Sequence, residues 1–161
     1  MENIEIKSTE LREKILTALR GSEGKKVLLF GVSQLPLLSS LREEMEYLGC
    51  TDKSDAALTP IKETADIHII PASEMGEDCY FGRFNLIFSL YSFQGLPRLV
   101  DEVMALRRLL IKGGKLIIAD TEGNGLCANC LKQLKRCGFT EVTTENIGPE
   151  GDPGFFITAR K

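Results

Sequence analysis

The chain of 161 residues is long enough for one domain with a substantial hydrophobic core. Its composition is 43% hydrophobic and 27% charged, and its formal net charge of -3 gives no reason to expect a nucleic-acid partner. Its apolar runs are far shorter than the roughly 20 residues of a membrane span, and its polar N-terminus lacks a signal-peptide pattern. We therefore expect a cytoplasmic protein with no membrane partner, in which the five cysteines are free thiols.

The first half of the chain predicts alternating helices and strands. A polar residue before an apolar stripe indicates the first helix, and the run VLLF has no polar face, which is typical of a strand buried on both sides. Pro36 fits the first turn of a second helix, and Gly49 fits its end. The predicted elements are a helix at 8–20, a strand at 26–31, a helix at 35–48, and short strands at 56–61 and 67–70.

The second half continues the alternation and closes with two strands. The predicted elements are a strand at 84–90, a helix at 96–110, a strand at 115–119, a helix at 124–137, and strands at 139–144 and 155–159. Strands that alternate with helices predict an α/β sandwich with a largely parallel sheet. The last two strands are joined by a loop of about ten residues, which favours antiparallel pairing because a parallel pair needs a longer crossover.

The stretch FNLIFSLYSFQGLPRLVDEVMALRRLLIKGGKLIIAD resembles the C-terminal half of class I SAM-dependent methyltransferases. In that family a fourth strand and a short loop precede a helix ending in R-x-L-K-P-G-G, and here 107–114 holds that place. LKRCGFTEV resembles the entry to strand six, and FFITARK resembles strand seven. The resemblance implies a Rossmann-like three-layer sandwich whose mostly parallel sheet has an antiparallel last strand. One methyltransferase-like domain would span 1–161, with a helical extension at 1–24 and the core at 25–161.

The cofactor half departs from the family pattern. The family has a glycine-rich turn after strand one and an acid after strand two that grips the ribose hydroxyls. Here one glycine remains, and by alignment with the family the position of this acid falls at Thr59 and Pro60, with no carboxylate. The resemblance still implies S-adenosyl-L-methionine as cofactor. The residues placed to bind it are Gly31, Val32, Ser33, Gln34, Thr59, Ala72, Ser73, Glu74 and Ser89.

Three functions remain open. The chain could be a SAM-dependent methyltransferase acting on a small-molecule acceptor, or a non-catalytic scaffold or regulatory pseudoenzyme that has lost SAM binding. It could also be another nucleotide-binding α/β protein. No catalytic residue is identified. Tyr91, whose hydroxyl could orient a substrate, is the one candidate, and the alternative is that Tyr91 and Phe93 pack at the rim of the sheet. The first helix could cover the crevice, pad the sheet or contact a second copy, so a homodimer or another protein partner stays open.

The remaining polar and sulfur-containing residues favour structural roles. Cys127, Cys130 and Cys137 share the apolar arc of one helix, which predicts packing and no metal site. The single histidine, His68, lies in a predicted buried strand and is interpreted as a structural residue. Asp120 would bind a substrate or open the turn after its strand. The basic residues near the helix at 96–110 are interpreted as a solvated face.

Overall fold

The helices and strands follow each other as the α/β pattern predicts. The computed structural model describes residues 2–61, 64, 66–148 and 154–161, with side chains from Thr9 onward. In chain order the elements are α1 (Glu2–Arg20), β1 (Lys26–Phe30), α2 (Leu35–Ser40), β2 (Tyr47–Thr51), α3 (Asp55–Leu58), β3 (His68–Ile69), β4 (Phe84–Leu90), α4 (Leu99–Leu109), β5 (Leu110–Thr121), α5 (Leu126–Arg136), β6 (Thr140–Ile147) and β7 (Gly154–Arg160). Single 3-10 turns lie at 42–44, 72–74 and 78–80.

The strands form one sheet in the order β3-β2-β1-β4-β5-β7-β6. The pairs from β3 to β5 are parallel, and β7 runs antiparallel to both of its neighbours. The predicted mostly parallel sheet with an antiparallel last strand is therefore confirmed. Residues 149–153 of the loop that joins β6 to β7 lie outside the described residues.

Two apolar clusters cover the two faces of the sheet. One contains the buried side chains of α1, α2 and α3, and the other contains those of α4 and α5. Leu99, Val103 and Leu106 recur at helical spacing along α4 and are buried against the sheet, which is why this segment forms a helix there. No helix among the described residues combines the length and the apolar character needed to cross a bilayer.

The first helix pads the sheet. Leu11, Ile15 and Leu19 of α1 are buried in the same cluster as β1. The carboxylate of Glu10 accepts a hydrogen bond from the backbone N–H of Gly148 (3.0 Å). Of the three roles left open for this helix, the structure supports packing on the sheet.

The second strand lies earlier in the chain than the sequence predicts. The predicted helix at 35–48 ends at Ser40, and Tyr47–Thr51 forms β2, which pairs in parallel with β1. Gly49 is not a helix stop. It lies within the strand, and a β-carbon there would come within 3.0 Å of the Tyr47 ring and 3.3 Å of the Ile70 side chain. Pairing with β1 overrides the local helical spacing of the leucines.

The predicted strand at 56–61 is also wrong. Asp55–Leu58 forms the short helix α3, and Leu58 is buried in the cluster of α1 and α2. Thr59 therefore follows a helix and does not follow β2. The other predicted strands and helices exist, with shifted ends; the largest shifts are at the starts of α1, which begins at Glu2, and of β5, which begins directly after α4 at Leu110.

Candidate functional site

The order of the strands places a crevice between the carboxyl ends of β1 and β4. The chain runs outward from β1 through β2 to β3, and then returns to add β4 and β5 on the other side. In open α/β sheets ligands bind at such a switch point, where the loops after the two strands separate. The loops that define the candidate site are therefore 31–34, after β1, and 91–98, after β4.

Gly31 is the one glycine in the loop after β1, and its backbone requires glycine. Its φ of +92° is a conformation that side chains of L-residues rarely adopt. Its N–H donates to the carbonyl of Thr51 (2.8 Å), at the end of β2. A β-carbon at Gly31 would lie 2.5 Å from Cβ of Ser92 and closer still to its hydroxyl oxygen. The Ser92 side chain therefore occupies the space directly above this glycine.

One serine hydroxyl ties the loop of β1 to the end of β4. Ser33 Oγ donates to the backbone carbonyl of Leu90 (3.1 Å), and Ser92 Oγ donates to the same carbonyl (3.1 Å) from within the loop after β4. Gln34 follows at the start of α2, where its carbonyl accepts from the N–H groups of that helix and its side chain makes no capping bond. The Ser33 side chain thus bridges the crevice.

A carboxylate follows β2, and the sequence analysis missed it. Asp52 comes directly after Thr51, and its Oδ2 accepts a hydrogen bond from the backbone N–H of Val32 (3.1 Å). Its Oδ1 accepts from the N–H of Ser54 (3.1 Å). The acid was missed because strand two was placed at 56–61. A usable signal was present, since Asp52 lies about 20 residues after the glycine turn, the spacing of the ribose-binding acid in dinucleotide-binding βαβ units.

Thr59 is not brought to the end of β2. Its hydroxyl donates to the carbonyl of Asp55 (3.0 Å), one turn back, and the residue is exposed. The reason that selected it, a position directly after strand two, is therefore wrong.

The turn at 72–74 follows β3, as predicted. The N–H of Ala72 donates to Oδ1 of Asp55 (2.8 Å), which fixes this turn against the start of α3. Ser73 is exposed, and Oε2 of Glu74 accepts from the hydroxyl of Tyr80 (3.4 Å). These residues lie beyond the carboxyl end of β3, two strands away from β1.

Ser89 lies in β4 and not in the loop that follows. It is buried, it pairs in register with Phe30 of β1, and its hydroxyl has no hydrogen-bond partner. Thr51, which pairs with Phe30 from the other side, is likewise buried with an unpartnered hydroxyl. Neighbouring in-register residues share a face of a sheet. The buried hydroxyls of Thr51 and Ser89 therefore lie on either side of Phe30, in the set of paired residues next to the crevice.

The loop after β4 has a constrained start. Tyr91 has a φ of +57°, its N–H donates to the carbonyl of Ala119 (2.7 Å), and its half-buried side chain packs against the cluster of α1 and α2. Phe93 is buried and meets the Phe30 ring edge to face, with centroids 6.0 Å apart. Phe93 therefore packs at the rim of the sheet, as the structural alternative predicted.

Asp120 fixes the loop after β4 to the end of β5. It is buried, and its carboxylate accepts from the N–H of Phe93 (3.2 Å) and from its neighbour Thr121 (2.8 Å). Burial raises the pKa of the Asp120 carboxyl, and these backbone hydrogen bonds partly offset the shift. Asp120 therefore holds the loop after β4, a role that the sequence did not predict.

The cysteines of α5 pack in the cluster of α4 and α5, as predicted. Cys130 is fully buried, and burial raises the pKa of its thiol to about 12. His68 differs from the prediction, because it is exposed and its ring stacks on Tyr47, with centroids 4.9 Å apart. Among the described residues no group of three or more His, Cys, Asp or Glu side chains is arranged to hold a metal ion.

The best-formed cavities lie away from this crevice. Two are lined from the amino ends of the strands, one lies between α4 and α5, and one lies beside α1. None of the four is lined by the loop of Gly31 or by Asp52. In this conformation the Ser92 side chain fills the space above Gly31.

No protein-family model matches the chain, and no curated protein matches it in sequence. Many solved structures share its fold. A SAM-dependent methyltransferase from Mesorhizobium loti superposes with a TM-score of 0.71 at 13% identity, over 92% of this chain and 96% of that one. The methyltransferase CalH, solved with SAH, gives 0.70 at 15% identity over 92% of this chain, which spans only 55% of the length of CalH.

The [4+2]-cyclase SpnF also shares the fold, with a TM-score of 0.75 at 12% identity over 94% of this chain and 80% of that one. At such identities the likeness shows the fold alone. The chain has the class I methyltransferase-like fold, and its reaction must be argued from its own residues.

Proposed function

We propose that this protein binds S-adenosyl-L-methionine between the carboxyl ends of β1 and β4 and transfers its methyl group to a small molecule. The observation that carries the proposal is the carboxylate of Asp52, which directly follows β2 and contacts the loop of Gly31. In class I SAM-dependent methyltransferases, the family that the sequence resembles, an acid at this position binds the ribose hydroxyls of the cofactor. The chain therefore has a carboxylate directly after strand two. The sequence analysis found none there because it placed that strand later in the chain.

The residues present fit the cofactor at its adenosyl end. Asp52 would bind the ribose hydroxyls, and the turn at 72–74 would contact the adenine. Gly31 and Ser33 would lie against the methionine portion, where the absence of a side chain at Gly31 lets the backbone approach a ligand. The fit there requires the Ser92 side chain to rotate away from Gly31 and release its bond to the Leu90 carbonyl.

Bound SAM supplies an electrophilic methyl group on a sulfonium, so the main task of the protein is to hold an acceptor in line with it. Tyr91 is the first residue after β4, and we propose that its hydroxyl orients the acceptor. A general base is not required of an acceptor that is already nucleophilic.

The test is calorimetric titration with SAM and with S-adenosylhomocysteine, with NADH as a ligand control. We expect micromolar binding of an adenosyl ligand. The Asp52→Asn variant should weaken it about tenfold or more, because hydrogen bonds to a charged acceptor are roughly twice as strong as neutral ones. Asp66→Asn is the matched control: Asp66 is exposed and lies in the segment before β3, and its loss of charge should leave the affinity unchanged.

The second candidate function is a non-catalytic scaffold or regulatory protein. The observation that favours it is the Ser92 side chain on Gly31, together with the Ser33 hydrogen bond that joins the loop of β1 to the end of β4. No binding of either adenosyl ligand at millimolar concentration would refute the methyltransferase proposal and support the scaffold. Binding that is equally strong in wild type and Asp52→Asn would show that the ligand sits elsewhere.

A further inference from the structure

A cleft of about 330 Å³ runs along α4 from Val100 to Arg108 and meets the C-terminal end of α5, away from the candidate site. Its lining consists of Val100, Met104, Arg107, Arg108, Arg136 and Cys137. The carboxyl-terminal turn of α4 leads directly into the start of β5, so the cleft lies toward the amino ends of the strands. The crevice with Gly31 lies at the opposite edge of the sheet.

Three guanidinium groups line this cleft. Within the described part of the chain, none of them forms an ion pair with a carboxylate, and no carboxylate lines the cleft. Arg107 is half-buried, and its Nε is a buried donor without a hydrogen-bond partner. By contrast Arg98, at the other end of α4, pairs with Asp101 (3.2 Å). Unpartnered buried donors are rare in folded proteins and call for a specific explanation.

Neighbouring titratable groups respond to this positive charge. Burial raises the pKa of the Cys137 thiol, while Arg107 and Arg136 lower it. Burial and Arg107 together lower the pKa of Lys161, whose ammonium donates to the Leu110 carbonyl (2.8 Å). Basic residues in the last turn of a helix are favoured by the helix dipole. That preference explains exposed cations at each helix end, but it does not explain a half-buried guanidinium that lines one cleft with two others.

We propose that this cleft binds a phosphomonoester with an apolar body. The planar guanidinium matches the oxygens of a phosphate with two parallel hydrogen bonds, which the exposed Arg108 and Arg136 would donate. Val100 and Met104 form the apolar wall, and Met104 is 45% exposed, the largest value among the exposed large hydrophobic residues described. The phosphate would bind to the arginines, and the organic body would cover this wall. The inference does not depend on the proposed cofactor site.

The test uses inorganic phosphate and phenyl phosphate as ligands, at constant ionic strength set with sodium chloride. Binding is followed by calorimetry and by thermal unfolding of the full chain. We expect saturable binding of both, tighter for phenyl phosphate, and a loss of about tenfold in affinity for each of Arg108→Gln and Arg136→Gln. Both arginines are exposed, so these variants should fold. Arg98→Gln removes the same charge from the same helix and should bind as wild type.

Met104→Gln tests the apolar wall. It should weaken phenyl phosphate and leave inorganic phosphate unchanged. A phosphoserine peptide that binds more tightly than phenyl phosphate, with the same dependence on Arg108 and Arg136, would support the site with a protein as the source of the phosphate. The proposal is overturned if no ligand binds saturably below about 10 mM, or if Arg98→Gln weakens binding as much as Arg136→Gln. Titration with S-adenosylhomocysteine should be unaffected by Arg108→Gln, Arg136→Gln and Met104→Gln.

Discussion

Substitution of Gly31 by alanine tests whether Ser92 really occupies the space above the loop of β1. The added β-carbon would meet Cβ of Ser92 at 2.5 Å, on a backbone with a φ of +92°. Two separate penalties result, one from the backbone conformation and one from the collision. A double-mutant cycle with Ser92→Gly separates them, because the second substitution removes the colliding atoms and leaves the backbone angle as it is.

The two penalties can be estimated separately. A positive φ costs an alanine about 1–2 kcal/mol, and overpacking costs about 1–3 kcal/mol, so Gly31→Ala should lower the free energy of unfolding by about 2–5 kcal/mol. Gly113→Ala is the matched control, since Gly113 has a φ of +83° and nothing lies within 4 Å of the position of its β-carbon. That control should lose only the conformational part, about 1–2 kcal/mol.

Urea unfolding followed by circular dichroism gives each free energy from the midpoint and slope. We expect the effects of Gly31→Ala and Ser92→Gly to be non-additive, with a favourable coupling of about 1–3 kcal/mol. Additivity within about 0.5 kcal/mol would refute the reasoning, because it would show that the two side chains do not compete for one space. A loss in Gly31→Ala no larger than in Gly113→Ala would refute it as well.

Three further predictions concern the core, the thiols and the loop after β4. Ile15→Ala should lower the free energy of unfolding by about 2–5 kcal/mol in urea titrations, because the side chain is fully buried in α1. In native protein at pH about 8, a thiol reagent followed by mass spectrometry should modify exposed Cys79 first, and Cys50 and Cys130 last, since burial raises the pKa of both buried thiols to about 12. Burial raises the pKa of Asp120, so the folded protein holds that proton more tightly than the unfolded chain. The stability of the wild type relative to Asp120→Asn should therefore be greatest below the ordinary pKa of 3.8 and should fall as pH rises through the raised value.

Each of these has a result that contradicts it. For Ile15→Ala the control is Glu13→Ala on the exposed side of α1, and equal losses would mean that the helix is not packed as described. Early modification of Cys130 would place that thiol outside the core. A stability difference between wild type and Asp120→Asn that rises with pH would mean that the backbone hydrogen bonds outweigh burial in setting the pKa of the Asp120 carboxyl.

The second half of the fold can be predicted from the sequence because each of its segments has the residue pattern of only one kind of secondary structure. The buried residues of α4 recur at helical spacing, and the runs of β4 and β5 are apolar on both faces, as a central parallel strand requires. Cysteine packs as a small hydrophobic residue, so the positions of the three cysteines also correctly predicted which face of α5 packs in the core. In each case the local pattern and the tertiary environment agree.

The first half misleads because local spacing and strand pairing disagree there. Leu38, Leu41, Met45 and Leu48 recur as on a helix, but the last of them pairs with Val27 in the sheet. Pairing between strands that are distant in sequence cannot be recognised from a short stretch of residues. The error carried over to the site, because an acid is recognised by its place after a strand. With the strand misplaced, Asp52 was passed over and Thr59 was named.

The crevice contains one feature that favours binding of an adenosyl ligand and one that opposes it. The variant Ser92→Gly tests how much the opposing feature reduces the affinity. Asp52 is placed to hold an adenosyl ligand, while Ser92 fills the space above Gly31. If binding requires Ser92 to give up its bond to the Leu90 carbonyl, that loss costs about 0.5–1.5 kcal/mol, so Ser92→Gly should tighten S-adenosylhomocysteine binding by about 2- to 10-fold. Ser73→Gly, at an exposed turn, controls for the added flexibility. Unchanged or weaker binding in Ser92→Gly would mean that this side chain does not gate the crevice, and that its contact with Gly31 is part of the bound state as well.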